Sequence, residues 1–305
     1  MSYYLIILSG IMLGLPFLIP KLAILAWVGL VPFLKGLEDK SWQQSFKLGW
    51  VFGLTFLIIS SKWLLQPIIK FSGYPLTISV LIFLICAAIL ALYFALLTII
   101  LNFLKKHFEI SLLILVPLAW TGIEFLRSIY SFQFLFGFLG YTQSFIPELI
   151  QLAQVGGVYL VTFIIVLVNT IFYLAVKEDK KRKSIIYTLT AVLIIGVVFI
   201  YGHWQLNQKL AIKDNFRAGI IQPNIPQDKK LDSNYYRQLE KKLVKLSETE
   251  IKSNNPGLLL WPETAILRTY SLERKFPYLK NYQTPLYIGG FIRQGNGPLN
   301  SALLV

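Results

Sequence analysis

The stretch Leu258-Leu-Leu-Trp-Pro-Glu-Thr-Ala265 joins a short apolar run to a single carboxylate. An apolar run that ends at a Trp-Pro pair predicts a buried strand, because Pro262 has no amide to donate to a central ladder. Glu263 then lies at the carboxyl end of that strand, where open α/β sheets bind their ligands. A carboxylate held beside an apolar wall has a raised pKa and is able to act as a general base. From the spacing alone, a solvated surface glutamate is the more common outcome.

The residues around this stretch predict a water-soluble α/β domain. Strands are predicted at residues 216–222, 258–261 and 285–293 and from Asn300 onward. A charged amphipathic helix is predicted at residues 232–252, with Asp232 or Ser233 as its N-cap and Leu239, Leu243 and Leu246 on one side. About a hundred residues are few for a two-layer enzyme domain, and the sequence stops within a predicted strand. We therefore expect this domain to be incomplete.

The composition of the whole chain is that of a polytopic membrane protein. Of its 305 residues, 55% are hydrophobic and 15% aromatic, and the mean hydropathy is +0.61, far above the soluble range. The net charge of +14 does not predict a nucleic-acid partner, because the basic residues lie mostly between apolar spans. The only cysteine, Cys86, lies in an apolar run, which excludes a disulfide framework or a CxxC metal site. We predict neither a cofactor nor a metal.

About seven spans are long enough to cross a hydrocarbon core of about 30 Å. They are predicted at residues 4–20, 22–37, 48–65, 76–104, 110–126, 155–176 and 185–201. The second span is short and the fourth is long, so that tilt or snorkelling must absorb the mismatch. The sequence thus predicts a transmembrane helical domain over residues 1–203 and an α/β domain over residues 204–305.

The distribution of lysine and arginine predicts the orientation of these spans. The loops after the second, fourth and sixth spans carry most of the positive charge: Lys40, Lys47, Lys105, Lys106, Lys177, Lys180, Lys181, Arg182 and Lys183. The alternate loops carry Lys21, Lys70 and Arg127. The positive-inside rule then places the N-terminus in the cytoplasm and the residues after Tyr201 outside.

The loop at residues 127–154 is long and uncharged compared with the others. It is rich in aromatic side chains, namely Tyr130, Phe132, Phe134, Phe136, Phe138 and Tyr141. Such a segment is expected at the membrane interface, either as a wall or lid for a lipid-like substrate or only as an aromatic belt that anchors the helices. Glu124 and Arg127 lie three residues apart on one helix face and are able to pair, as a functional site or as a structural ion pair.

Eight short segments resemble, in order, those of one known family. They are Gly14-Leu-Pro16, Phe71-Ser-Gly-Tyr-Pro75, Trp120-Thr-Gly-Ile-Glu-Phe-Leu-Arg127, Leu139-Gly-Tyr-Thr-Gln143, Gly156-Gly-Val-Tyr159, Gln222-Pro-Asn-Ile-Pro-Gln227, Leu260-Trp-Pro-Glu-Thr-Ala265 and Asn300-Ser-Ala. The family is that of the apolipoprotein N-acyltransferases, whose extracytoplasmic domain belongs to the nitrilase (carbon-nitrogen hydrolase) superfamily. The chain departs from its pattern at Phe134-Leu-Phe136, where Phe-Pro-Trp is common, and at Leu231, where tryptophan is common.

The resemblance implies a polytopic α-helical membrane domain followed by an incomplete α/β nitrilase-like domain, an α-β-β-α sandwich outside the cytoplasm. It implies phospholipid-dependent N-acylation of the N-terminal diacylglyceryl-cysteine of apolipoproteins, the last step of bacterial lipoprotein maturation, through a ping-pong thioester mechanism. The implied partners are a membrane phospholipid, a diacylglyceryl apolipoprotein and the lipid bilayer. The implied location is the bacterial plasma (inner) membrane.

The resemblance also implies roles for individual residues. Glu263 corresponds to the general base of a Glu, Lys and Cys triad. The family's Lys and Cys lie downstream of the last residue given, and Lys275 and Lys280 lie outside the family's lysine motif. We therefore expect this chain alone to be inactive. The candidate substrate-binding residues are Tyr141, Phe136, Phe138 and Trp261.

Three alternatives remain at this point. One is a catalytically inactive, membrane-anchored nitrilase-like relative without a nucleophile. Another is a small-solute transporter, although the spans show no inverted repeat and few buried polar residues. The last is a different amide-forming enzyme with a membrane-anchored nitrilase domain. The aromatic loop favours lipid acyl transfer over this last alternative.

Overall fold

The computed structural model describes residues 1–129, 136–208, 216–226, 235–263, 265–270, 284–294 and 297–304. The chain divides into two compact units, Met1–Lys209 and Leu210–Val305. The domain boundary predicted after residue 203 lies inside a helix that ends at Leu206. The first unit holds the apolar helices and the second holds a β-sheet.

The first unit is almost entirely helical. Its described α-helices are α1 (Ser2–Gly14), α2 (Val31–Gly36), α3 (Trp42–Ser60), α4 (Leu65–Ser72), α5 (Leu76–Leu90), α6 (Leu92–His107), α7 (Leu112–Ile129), α8 (Pro147–Ile150), α9 (Ala153–Lys177) and α10 (Lys181–Leu206). Short 3₁₀ segments lie between them at Leu15–Phe17, Pro20–Trp27, Lys62–Leu64 and Leu139–Gln143.

The described residues contain four helices that are long and apolar enough to cross a membrane. They are α5 with α6, then α7, α9 and α10. The segment from α3 to α4 adds a fifth if its 60° bend is counted within one span, and Ser2–Phe17 is a shorter apolar helix. These helices confirm the prediction of a membrane protein.

The second predicted span, at residues 22–37, is not one continuous helix. Its residues form part of the 3₁₀ segment Pro20–Trp27 and then α2, with a turn between them. Pro32 lies at the start of α2, where its fixed φ suits a helix start and its missing amide breaks a preceding helix. The apolar run of this stretch predicted one continuous span, but proline interrupts its helix. The fourth predicted span is confirmed as one apolar helical stretch, Leu76–His107, within which α5 and α6 meet at Ala91.

Helix α3 packs closely against α6 in the core of the first unit. A side chain at Gly53 would lie 2.7 Å from the Phe94 ring, so glycine permits the close approach of the two helices. Phe52, Phe94 and Trp120 meet beside this contact with ring centroids 5.3–5.8 Å apart, a favourable range for aromatic pairs. Two residues of this aromatic core contact the ionisable residues of α7: Trp120 contacts Glu124, and Phe94 contacts Arg127.

The described part of the second unit is a five-stranded sheet with one helix. The strands are β1 (Ala218–Ile220), β2 (Leu258–Leu260), β3 (Ile266–Tyr270), β4 (Leu286–Gln294) and β5 (Gly297–Leu304), and the helix is α11 (Tyr236–Asn254). Strands β1, β2 and β4 are parallel neighbours, and β5 pairs antiparallel with β4. Leu239 and Leu243 of α11 are buried with Leu259 and Ile288 of the sheet. The predicted apolar face of this helix is therefore confirmed, while both predicted N-cap residues lie outside the described residues.

Strand β3 was not predicted. It pairs parallel with β4, as β2 does. Because β5 occupies the other edge of β4, β2 and β3 follow one another along the same edge. The Ala265 amide donates to the Gly289 carbonyl at 2.9 Å where this pairing resumes. Pro262 thus interrupts the ladder as predicted, but the ladder continues three residues later.

Candidate functional site

Glu124 of α7 is the centre of a buried polar cluster in the first unit. Its side chain is 1% exposed. One carboxylate oxygen accepts hydrogen bonds from Trp120 Nε1 at 3.1 Å and from the Leu139 amide at 2.9 Å. The other accepts from Thr162 Oγ1 at 2.7 Å. Because a buried acceptor is costly when unpaired and stabilising when satisfied, Glu124 ties α7, α9 and the Leu139 backbone together.

Arg127 lies one turn further along α7 and is 2% exposed. Its Nη2 donates to the Phe136 carbonyl at 2.5 Å. The guanidinium carbon lies 5.2 Å from the centre of the Phe138 ring and 5.7 Å from that of Phe94, within the range of a cation–π interaction. Both ionisable residues of the predicted pair are therefore buried on one side of α7 and hold the chain that follows it.

The chain that they hold is residues 136–143, which we call the aromatic segment. Gly137 has a φ of +77°, a left-handed conformation that glycine adopts without strain. Phe138 is buried and stacks on Tyr141 with centroids 5.7 Å apart. Phe136 and Tyr141 are 47% and 45% exposed, and Phe136 contacts Trp63 edge-on at 4.7 Å. Two of the three predicted substrate-binding residues in this segment therefore present open ring surface, while Phe138 has core contacts.

The end of the aromatic segment is held by Gln143, which the sequence reasoning did not single out as functional. Its Oε1 accepts from Trp27 Nε1 at 3.1 Å, and its Nε2 donates to the Ala23 carbonyl at 3.2 Å. Thr162, which also accepts from the Gly140 amide at 3.0 Å, was missed as well. The available signal was a polar residue within an apolar helix or motif, which predicts a buried hydrogen bond. Tyr130, Phe132 and Phe134 lie outside the described residues.

In the second unit, two of the quoted motifs follow the carboxyl ends of neighbouring strands. β1 and β2 are parallel, so the residues after Ile220 and after Leu260 leave the sheet at the same end of the two strands. The Ile221 amide donates to the Leu260 carbonyl at 2.9 Å. The Gln222-Pro-Asn-Ile-Pro segment and the Trp-Pro-Glu segment are therefore neighbours, at the carboxyl ends where α/β sheets bind ligands.

Trp261 and Glu263 have different environments at this edge. Trp261 is buried, and its Nε1 donates to Ser247 Oγ of α11 at 2.9 Å. Its described contacts are those of a core residue that joins the helix to the sheet. Glu263 is exposed, and the hydrogen bond of 3.2 Å from the Ala265 amide to the Pro262 carbonyl closes a tight turn around it. This turn presents the carboxylate at the rim of the sheet.

No group of three or more His, Cys, Asp or Glu side chains that could hold a metal ion occurs among the described residues. Cys86 lies exposed on α5 of the first unit.

Comparison with known families identifies the chain. Residues 9–171 match the family model described as the apolipoprotein N-acyltransferase N-terminal domain. The chain belongs to the apolipoprotein N-acyltransferase family. The likeness inferred from the short motifs is thereby confirmed, and with it the assignment to a membrane acyltransferase family of lipoprotein biosynthesis.

Curated relatives that carry this family name align over most of the chain. The apolipoprotein N-acyltransferase of Geobacter metallireducens is 30% identical over 270 residues, which is 87% of this chain and 51% of the relative. That of Chlorobaculum tepidum is 26% identical over 94% of this chain and 55% of its own length. That of Coxiella burnetii is 31% identical over 72% and 44%. The chain thus spans about half the length of the curated relatives it matches.

Proposed function

We propose that the protein takes part in N-acylation of the N-terminal diacylglyceryl-cysteine of bacterial apolipoproteins, with a membrane phospholipid as acyl donor. The observation that carries this proposal is the match of residues 9–171 to the N-terminal domain of that family. The apolar helices agree with it, because both proposed substrates are anchored in a bilayer. Phe136 and Tyr141 are candidates to contact their acyl chains, since both rings are about half exposed.

In the proposed reaction, Glu263 is the general base. It accepts the proton of the cysteine thiol that the family resemblance implies, and the thiolate attacks the carbonyl carbon of a phospholipid ester. A C–S bond forms as the C–O bond breaks, and the lysophospholipid leaves with the proton. A lysine ammonium and backbone amides stabilise the oxyanion. The α-amine of the apolipoprotein then attacks the thioester, so that a C–N bond replaces the C–S bond and Glu263 accepts the amine proton.

The second unit is proposed to be a nitrilase-like domain. Its support is the parallel pairing of β1 and β2 with α11 between them in sequence and packed on the sheet. Glu263 at the carboxyl end of β2 occupies the position expected for a ligand-facing carboxylate. Trp261, two residues before Glu263, is fixed by its hydrogen bond to Ser247 of α11.

The function is tested by depleting the gene that encodes this chain in its own cells. Mass spectrometry of lipoprotein N-terminal peptides is expected to show that the amide-linked acyl group disappears and that diacylglyceryl-cysteine with a free α-amine accumulates. Restoring the gene should reverse the change. Unaltered N-acylation after depletion would contradict the proposal and favour a non-catalytic relative.

We further propose that the protein lies in the bacterial plasma membrane with its N-terminus in the cytoplasm and its second unit outside. The support is the lysine-rich loop at the start of α10, which resists translocation. An alkaline phosphatase reporter fused after Asn207 is therefore expected to be active, since this enzyme folds only outside the cytoplasm. A fusion after Glu178, at the other end of α10, should be inactive. The reverse pattern would overturn the orientation.

A further inference from the structure

A cavity of about 700 Å³ lies at the end of the first unit where α6 ends and α7 begins. The loop from α2 to α3 and Tyr173 of α9 complete its wall. The aromatic segment follows the opposite end of α7, whose 18 residues span about 27 Å at a rise of about 1.5 Å per residue. The cavity therefore lies at the end of α7 away from the aromatic segment and is a different site.

The charge around this cavity is positive. Lys40, Lys105 and Lys106 line it, together with the acidic residues Glu38 and Asp39. Glu38 is already compensated, because Tyr173 donates a hydrogen bond to it at 2.6 Å and Lys177 Nζ lies 3.5 Å away. These two contacts lower the pKa of the Glu38 carboxyl and hold it as a paired anion. The lining therefore carries three lysines against Asp39 and the already paired Glu38.

His107 also lines the wall. Its Nδ1 lies 2.9 Å from the Phe103 carbonyl one turn earlier on α6, so this contact orients the ring. The lysines at positions 105 and 106 are exposed. Their long stems let the ammonium groups move towards an anion without moving the backbone.

The rest of the wall is apolar. Leu101, Leu115 and Val116 are buried beneath the charged rim. Trp42 and Phe103 also line the cavity and are more than half exposed. Aromatic side chains in such a half-open position are typical of the interface between headgroups and acyl chains. A free phosphate ion would contact only the lysines and leave this apolar surface uncovered.

We propose that this cavity binds an anionic phospholipid, with Lys105 and Lys106 at its phosphate and the apolar wall along its acyl chain. Basic pockets between membrane helices recognise anionic headgroups in this way. The bound lipid is separate from the proposed acyl donor, because the site lies at the other end of α7. It would tie α6 to α7 and to the loop between α2 and α3.

The proposal is tested with the 305-residue chain purified in detergent. Native mass spectrometry is used to titrate dioleoyl phosphatidylglycerol, dioleoyl phosphatidylcholine and glycerol 1-phosphate. We expect phosphatidylglycerol to bind most tightly, and the Lys105→Gln/Lys106→Gln variant to lose roughly tenfold or more of that affinity. The Lys105→Arg/Lys106→Arg variant should bind as the unaltered chain does, because the charge is retained.

A matched control separates this site from general attraction between lysines and anionic lipid. The Lys180→Gln/Lys181→Gln variant loses the same charge at exposed positions that do not line the cavity, and it should bind phosphatidylglycerol normally.

An equal loss of phosphatidylglycerol affinity in both glutamine variants, or no loss in either, would contradict the proposed site. Binding of phosphatidylcholine as tight as that of phosphatidylglycerol would show that the headgroup charge does not contribute to binding. Binding of glycerol 1-phosphate as tight as that of the lipid would assign the cavity to a soluble phosphate instead. None of these results depends on acyl-transfer activity, so a failure of the proposed function is distinguishable.

Discussion

Replacing Glu263 with glutamine is expected to lower lipoprotein N-acylation by about 10²- to 10⁴-fold, the usual contribution of a general base. Glutamine has nearly the same size but cannot take up the proton of the thiol or of the attacking amine. Because Glu263 is exposed in the turn between β2 and β3, the change should leave the fold unaltered. The measurement is the rate at which amide-linked acyl groups appear on a reporter lipoprotein in cells that carry the variant gene.

Glu248→Gln is the matched control for this prediction. Glu248 is also exposed in the second unit but lies on α11, so its neutralisation should leave N-acylation unaffected. Membrane insertion of both variants should equal that of the unaltered protein. Normal N-acylation by the Glu263→Gln variant would eliminate the base assignment while leaving the family membership intact.

Replacing Glu124 with leucine is expected to destabilise the first unit by about 3 kcal/mol or more. Three buried donors lose their acceptor, namely Trp120 Nε1, the Leu139 amide and the Thr162 hydroxyl, and each unsatisfied buried group costs about 1–3 kcal/mol. The aromatic segment is then fastened to α7 chiefly through Arg127. Thermal unfolding in detergent should show a midpoint lower by about 10 °C.

Glu124→Gln should give a smaller loss, because an amide keeps one acceptor oxygen but points donors at Thr162 or at the Trp120–Leu139 pair. Glu109→Gln, at an exposed position before α7, serves as the control and should not change the midpoint. If Glu124→Leu unfolded at the same temperature as this control, the three hydrogen bonds would contribute no net stability. The aromatic segment would then be held by its ring contacts alone.

The membrane helices could be predicted wherever the apolar run was uninterrupted. α7, α9 and α10 coincide closely with predicted spans, because a long apolar helix is the structure that satisfies its own backbone in a bilayer. The prediction of one continuous helix failed at residues 22–37, where Pro20 and Pro32 divide the run into two short segments. Hydropathy measures transfer to lipid and does not detect a missing backbone donor.

In the second unit, local patterns predicted four strands and the helix but not β3. The residues of β3, Ile266–Tyr270, include Arg268 and Thr269 and follow a proline, so they lack a clear apolar strand pattern. Their pairing depends on an open edge of β4, which is a partner distant in sequence. β-Structure is set by such neighbours more than by intrinsic preference.

The membrane character of the chain, its family and the presence of Glu263 at a strand end could all be inferred from the amino-acid sequence. These depend on composition, on motif order and on local rules for strands and proline. The fold was needed to show that Glu124 accepts three hydrogen bonds, from α7, α9 and the aromatic segment. It was also needed to show that Trp261 and Phe138 are buried while Phe136 and Tyr141 are about half exposed. Hydrogen-bond partners come from distant residues, 38 positions apart for Glu124 and Thr162 and 116 apart for Trp27 and Gln143. No local pattern specifies which distant donor will meet a given acceptor.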